Sequence, residues 1–181
     1  MKRFTWKMIL LTTALISAMT LGAACGQKEE AGIANPWTET TDLEEAMKGS
    51  GIRFSPPVEQ AIPQHDGEQM RFWKYFWTPG TLEARYESEN EEMNVRVSTS
   101  LQGEELAGDY NVYSQTWEEV LKGLPVVCRG DGEQISVATF DVEEMHYAIT
   151  YSPGVEERGL TADELQSLVM GMQASPLDEP N

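Results

Sequence analysis

Apolar and polar residues alternate along two nearby stretches of this chain, residues 82 to 87 and residues 93 to 98. An alternation with a period of two indicates β-strands that bury one face and leave the other in water. Residues 88 to 92 between them are polar and predict a turn, so the two strands should form a hairpin. Residues 135 to 140 and 145 to 151 predict a second hairpin. Antiparallel hairpins combined with helices elsewhere in the chain imply an α+β fold.

Two segments carry the start signals of amphipathic helices, one near each end of the expected domain. Thr41 and Glu44 have the spacing of a capping box, and Gly49 stands where a left-handed residue would end the first helix. Thr161 and Glu164 form a second capping box, followed by apolar residues at helical spacing. Each helix has one apolar face that must be covered by a sheet or by another helix.

The segment from residue 113 to residue 121 fits two kinds of secondary structure. Thr116 and Glu119 have the spacing of a helix cap, whereas Lys122 and Gly123 are typical of a hairpin turn that leads into the next strand. We favour a strand here.

The N-terminal segment has the order of regions found in a secretory signal peptide. Basic residues come first, an uncharged apolar run extends from residue 8 to residue 21, and small residues precede Cys25. The sequence Leu21-Gly22-Ala23-Ala24-Cys25 resembles a lipobox, which implies removal of residues 1 to 24 and acylation of Cys25. Gly22 stands where leucine is usual, and the same residues fit ordinary cleavage after Ala24. We therefore expect a lipid anchor on the extracytoplasmic face of the cell membrane, with free secretion as the alternative.

The composition of the remaining residues indicates the domain boundaries, and the net charge indicates which partners are compatible. Residues 25 to 34 read as the lipidated cysteine and a flexible tether, residues 35 to 173 as a single α+β domain, and residues 174 to 181 as a disordered tail. Removal of residues 1 to 24 takes away three basic residues and changes the formal charge from −17 to −20. So negative a protein repels nucleic acid, and it favours a cationic or cell-envelope ligand.

The densest aromatic segment is a candidate ligand-binding surface. In a regular strand, Trp73, Tyr75 and Trp77 would share one face and form a stacking platform. The alternative is a central strand buried on both faces. A second candidate is the loop that contains Asp109, Tyr110 and Asn111, whose short polar side chains either bind a ligand or stabilise a turn.

Enzymatic and metal-binding motifs are absent from the sequence. Only His65 and His146 are available as histidines, and no zinc, calcium, nucleophile-elbow or phosphate-loop spacing occurs. Cys128 follows an apolar run and should be a small buried residue rather than a reactive thiol. We expect no catalytic residue, no metal and no cofactor.

Several short motifs follow one another along the mature chain. They are Trp37, Leu43-Glu44-Glu45-Ala46, Gly51-Ile52-Arg53-Phe54-Ser55-Pro56, Gly108-Asp109-Tyr110-Asn111 and Leu160-Thr161-Ala162-Asp163-Glu164-Leu165. In this order they resemble an uncharacterised family of lipoproteins from Gram-positive bacteria. The resemblance implies a curved antiparallel sheet of about five to seven strands, packed by an N-terminal and a C-terminal helix, and it carries no activity.

Together these features predict a membrane-tethered extracytoplasmic module that binds a ligand or partner at the cell envelope without catalysis. The first alternative is a small cell-envelope hydrolase that uses acidic residues, which would need two facing carboxyl groups held in different protonation states. The second is a module that handles lipids or lipoproteins, which would need an apolar cavity.

Overall fold

The structure is a computed structural model that describes residues 35–65, 68–153 and 158–177. The predictions for the signal peptide, Cys25 and the tether fall in residues 1–34, outside the described residues. The strands are β1 (Thr38–Thr40), β2 (Ile52–Ser55), β3 (Gln64–His65), β4 (Glu68–Gln69), β5 (Arg71–Thr78), β6 (Thr81–Glu87), β7 (Glu91–Ser98), β8 (Gln115–Leu121), β9 (Leu124–Gly130), β10 (Ile135–Val142), β11 (Met145–Pro153) and β12 (Gln173–Pro176). The helices are α1 (Leu43–Ser50), α2 (Gly103–Ala107) and α3 (Ala162–Gly171).

The α+β expectation is confirmed in its coarse form, because helices pack on an open antiparallel sheet. Within the described residues, eight strands form this sheet in the order β1-β5-β6-β7-β11-β10-β9-β8. Both predicted hairpins are present, β6 with β7 and β10 with β11, and the ambiguous segment before Lys122 is the strand β8. The sheet differs from the expected curved sheet of five to seven strands, since it has eight strands and is open. The short β1 contributes to the difference, because three residues are too few to show a periodic pattern.

One face of the sheet carries the hydrophobic core. The inward side chains of β6, β7, β10 and β11 pack beneath α1, α3 and the two-stranded pair of β2 with β12. From α3 the core receives Leu165 and Leu168, which are fully buried. Burying a leucine side chain stabilises a fold by about 1.5–3 kcal/mol, so this apolar face accounts for the docking of α3.

The helix caps confirm one prediction and correct another. At α3, Thr161 and Glu164 form the predicted capping box. At α1, the capping residue is Asp42 rather than Thr41, because its carboxylate accepts hydrogen bonds from the backbone N–H groups of the first turn. The helix ends at Ser50, and the left-handed residue that caps it is Gly51, with a φ of 73°, rather than Gly49.

The C-terminal boundary of the domain lies beyond the predicted residue 173. Gln173–Pro176 forms β12, which pairs antiparallel with β2, and the Leu177 N–H donates to the Gly51 carbonyl at 2.8 Å. The predicted tail is therefore wrong at its start. Its polar, proline-containing sequence has no strand pattern, and the strand forms because the backbone of β2 supplies the hydrogen bonds.

The second face of the sheet is partly covered, contrary to the expectation of a wet face on the first hairpin. Glu83 is only 1% exposed. Its carboxylate accepts hydrogen bonds from Arg85 Nε and Nη2 at 3.1 and 2.9 Å, and another from Arg96 Nε. Arg96 also donates to the carbonyls of Leu106 and Ala107 at the end of α2. This ion cluster lets a charged residue stay buried where the alternation predicted exposure.

Candidate ligand-binding groove

A β-bulge interrupts the regular alternation of β5. Phe72 pairs with Tyr86, but Lys74 pairs with Arg85, so Trp73 is the extra residue between the two registers. A bulge of this kind reverses which residues of a strand share a face. Phe72 consequently lies on the core side, and Trp73 lies on the opposite side.

The bulge separates the three predicted platform residues. Tyr75 and Trp77 pack against the hydrophobic core, and Tyr75 is only 7% exposed. Trp73 lies on the other face, with its ring centroid 5.6 Å from that of Phe76 and 5.5 Å from the guanidinium carbon of Arg85. The prediction of one shared face is therefore wrong, because it assumed a strand without an extra residue.

A groove of about 1140 Å³ opens at the end of β5 that contains the bulge. One wall consists of β5 and β6. The opposite wall consists of residues 56–65 and 68–70, which we call the strap and which include β3, β4 and a 3-10 turn at Glu59–Ala61. Of the six residues proposed from the sequence as ligand contacts, Tyr75 lines this groove, whereas Trp73, Trp77, Asp109, Tyr110 and Asn111 do not.

Among the described residues, three aromatic side chains from β5 and β6 line the groove. The ring centroid of Phe72 lies 4.4 Å from that of Tyr75 and 6.0 Å from that of Tyr86. Phe72 is 40% exposed, whereas Tyr86 is only 4% exposed. The alternation of β6 already placed Tyr86 on the buried face, but the position of Phe72 depends on the bulge. Phe72 and Tyr86 are the site residues that sequence reasoning missed.

The hydroxyl groups of Tyr75 and Tyr86 have no hydrogen-bond partner among the described residues. In that part of the chain, two side-chain polar atoms are fully enclosed and have no partner, Trp77 Nε1 and Asn94 Oδ1. The two phenolic oxygens are not among them, so they are not fully enclosed and still face open space. The groove is the open space that both tyrosines line. Burial raises the pKa of each phenol, and the nearby Tyr75 adds to the effect at Tyr86. Two neutral phenols therefore belong to the lining of the groove.

The rim of the groove is predominantly acidic. Its charged lining residues are Glu59, Glu68, Glu87, Glu89 and Arg71. All five side chains are exposed. Four carboxylates against one guanidinium give the opening a negative potential that concentrates cations and repels anions.

The strap is held against the sheet by a buried histidine. His65 Nδ1 lies 2.8 Å from the Tyr151 hydroxyl and 3.1 Å from Glu91 Oε1, and Nε2 lies 2.9 Å from Glu164 Oε1. These contacts join the strap to β7, β11 and α3. Burial would raise the pKa of Glu164, but hydrogen bonds from Thr161 and His65 outweigh it and lower that pKa.

The loop with Asp109, Tyr110 and Asn111 is a stabilised turn. One carboxylate oxygen of Asp109 accepts the Asn111 backbone N–H at 2.8 Å, and the other accepts the Tyr113 hydroxyl at 2.7 Å. Asp109 is therefore engaged within its own loop, while the Tyr110 side chain is exposed. The geometry matches the turn interpretation of this segment.

The remaining candidate groups are a buried thiol and two carboxyl groups with lowered pKa values. Burial, with a contribution from Glu119, raises the pKa of the Cys128 thiol to about 12, so the reactive thiolate is scarce at neutral pH. Two carboxyl groups in the described residues have clearly shifted pKa values, Asp131 and Glu164, and both shift downward. A hydrolase general acid requires the opposite direction. In the described ranges, no three His, Cys, Asp or Glu side chains are grouped closely enough to hold a metal ion.

Comparison with protein-family models, with curated proteins and with solved structures finds no match for this chain. None of the helices in residues 35–65, 68–153 and 158–177 combines the length and the apolar character of a membrane span. The candidate site therefore rests on the geometry of the groove itself.

Proposed function

We propose that this protein is a membrane-tethered extracytoplasmic lipoprotein whose domain binds a ligand in the groove between the strap and β5–β6, without catalysing a reaction. The observation that carries the proposal is a large open groove lined by Tyr75 and Tyr86, whose polar ends have no partner in the described residues. The phenolic oxygens face open space, and a ligand that displaces water from them must supply hydrogen bonds in its place. The surrounding rings provide apolar contact area.

Phe72 and Trp73 form a matched pair for a test of the groove. They are adjacent, large and similarly exposed, at 40% and 36%, but only Phe72 lines the groove. Fluorine NMR of the purified full-length chain with a panel of fluorinated aromatic fragments should reveal binders whose signals broaden in the presence of the protein. Phe72→Ala should abolish the broadening, and Trp73→Ala should leave it intact. Equal losses in both variants, or no loss in Phe72→Ala, would contradict the groove as the binding site.

The location is a separate part of the proposal and depends on Cys25. An acyl chain adds about 0.8 kcal/mol of membrane affinity per buried CH₂, and the diacylglyceryl group of a lipobox cysteine carries two chains, which suffice for stable anchoring. Cys25→Ala should therefore move the protein from the membrane fraction to the medium, whereas Cys128→Ala should leave it at the membrane. Unchanged membrane association of Cys25→Ala would contradict lipidation as the anchor.

A further inference from the structure

The acidic rim and the aromatic lining belong to the same groove. Together they restrict the chemical class of the ligand more than either feature alone. This step rests on the proposed function, because it concerns the same groove. Four rim glutamates outnumber the single Arg71, so the opening disfavours an anionic ligand. A surface acidic cluster on its own is usually a solvated face, and the lining must therefore supply the specificity.

The two tyrosines supply that specificity. Tyr75 and Tyr86 line the groove and are 7% and 4% exposed, and their hydroxyl oxygens have no hydrogen-bond partner in the described residues. Neutral phenols retain acceptor lone pairs that suit an N–H donor. Around them, the rings of Phe72, Tyr75 and Tyr86 are close enough for one bound group to contact more than one aromatic surface. Aromatic faces attract a positive charge within about 6 Å of the ring centre.

Among the described residues of the lining, Arg71 is the one with a cationic side chain. Its side chain is exposed, like those of the rim glutamates. Its presence leaves the opening negative overall, because four carboxylates remain against it.

We infer that the groove binds an organic ammonium ion, with the charged nitrogen against the rings of Phe72, Tyr75 and Tyr86 and the apolar body along the strap wall. The N–H groups donate to the phenolic oxygens, and the rim glutamates attract the cation to the opening. Binding involves no covalent step.

Three probes of nearly equal shape separate charge from shape: 2-phenylethylammonium, the neutral 2-phenylethanol and the anionic 3-phenylpropanoate. Each is titrated by isothermal calorimetry into the purified full-length chain in detergent micelles. The ammonium probe should bind at least about tenfold more tightly than the alcohol, and the anion should not bind. Tyr86→Phe keeps the ring and removes the hydroxyl, so it should weaken the ammonium probe by about tenfold, since a hydrogen bond to a charged group is lost.

Charge at the rim is tested with two double variants of equal net charge. Glu68→Gln with Glu89→Gln should weaken the ammonium probe and flatten its dependence on salt, because both residues line the groove. Glu105→Gln with Glu118→Gln changes two exposed glutamates that do not line it, and this control should leave the affinity unchanged.

The outcomes distinguish failure of the ligand class from failure of the proposed function. If the alcohol or the anion binds as tightly as the ammonium, and Phe72→Ala abolishes that binding, the groove is a site for a different class of ligand and the inference is overturned. If the ammonium binds but Phe72→Ala has no effect, both the inference and the groove as binding site are overturned. Absence of saturable binding by the ammonium probe also overturns the inference.

Discussion

Replacing Glu83 with Gln should lower the free energy of unfolding by about 3 kcal/mol, because Glu83 is the shared acceptor for two arginines on the partly covered face of the sheet. Its side chain is 2% exposed, and those of Arg85 and Arg96 are 24% and 18% exposed. Removing one partner of a buried ion pair costs about 3–5 kcal/mol. Both guanidinium groups keep some contact with water, which places the expected cost at the lower end of that range.

Urea unfolding of the purified chain, followed by circular dichroism, measures this loss. A domain of this size has a stability of about 5–15 kcal/mol, so a loss of 3 kcal/mol should also lower the melting temperature by about 10 °C. Glu118→Gln, at an exposed position of β8, is the matched control and should change stability by less than about 0.5 kcal/mol. A loss below about 1 kcal/mol in Glu83→Gln would refute the importance of this cluster.

The same cluster predicts a coupling between its members. Arg96 donates both to Glu83 and to the last carbonyls of α2, so Arg96→Gln should be destabilising by itself. Either substitution breaks the same ion pair, so the second one removes less free energy of unfolding than it would alone. The double variant with Glu83→Gln should therefore cost at least about 1 kcal/mol less than the sum of the two single variants. Additive costs would mean that the two side chains act independently.

Three further results are expected. Gly49→Ala should cost about 1–3 kcal/mol in a thermal melt, because a Cβ atom there would stand about 2.5 Å from the Trp77 indole; an unchanged melting temperature would contradict the close packing. In a Cys25→Ala background, Cys128 should resist a thiol reagent at pH 8 until urea unfolds the chain, because burial raises its thiol pKa to about 12; rapid labelling of the folded protein would refute this. The pKa of Glu164 is lower in the folded state than its ordinary value of 4.5, so its stabilising contribution is present above pH 4.5 and is lost as the pH falls through the lower folded pKa. Glu164→Gln should therefore flatten the acid side of the stability profile, and an unchanged slope would contradict the assignment.

The scaffold was predictable because it obeys a period that is visible in the sequence. Both hairpins follow from alternation, and α3 follows from a capping box before apolar residues at helical spacing. Local rules suffice in such segments, since the same residues that favour the element also supply its buried face.

The errors occurred where a distant backbone decides the local structure. β12 exists because β2 offers its backbone for pairing, and the residues around Pro176 show no strand pattern of their own. Glu83 stays buried because Arg96, on the neighbouring strand, supplies a partner at a position where alternation predicts contact with water. Neither partner can be identified before the register of the strands is known.

The candidate site combines two features that the sequence pattern does not reveal, an irregular strand and a segment positioned by distant residues. A regular β5 would put Phe72 on the face away from Tyr75, and the aromatic lining of the groove would not form. The opposite wall, the strap, has only two very short strands and a 3-10 turn, so it is positioned by tertiary contacts such as those of His65 with Glu91 and Glu164. A groove made by one irregular residue in a strand and by one segment without a period leaves no periodic trace in the sequence. For this reason the same pattern that predicts the sheet assigned the aromatic residues to the wrong faces.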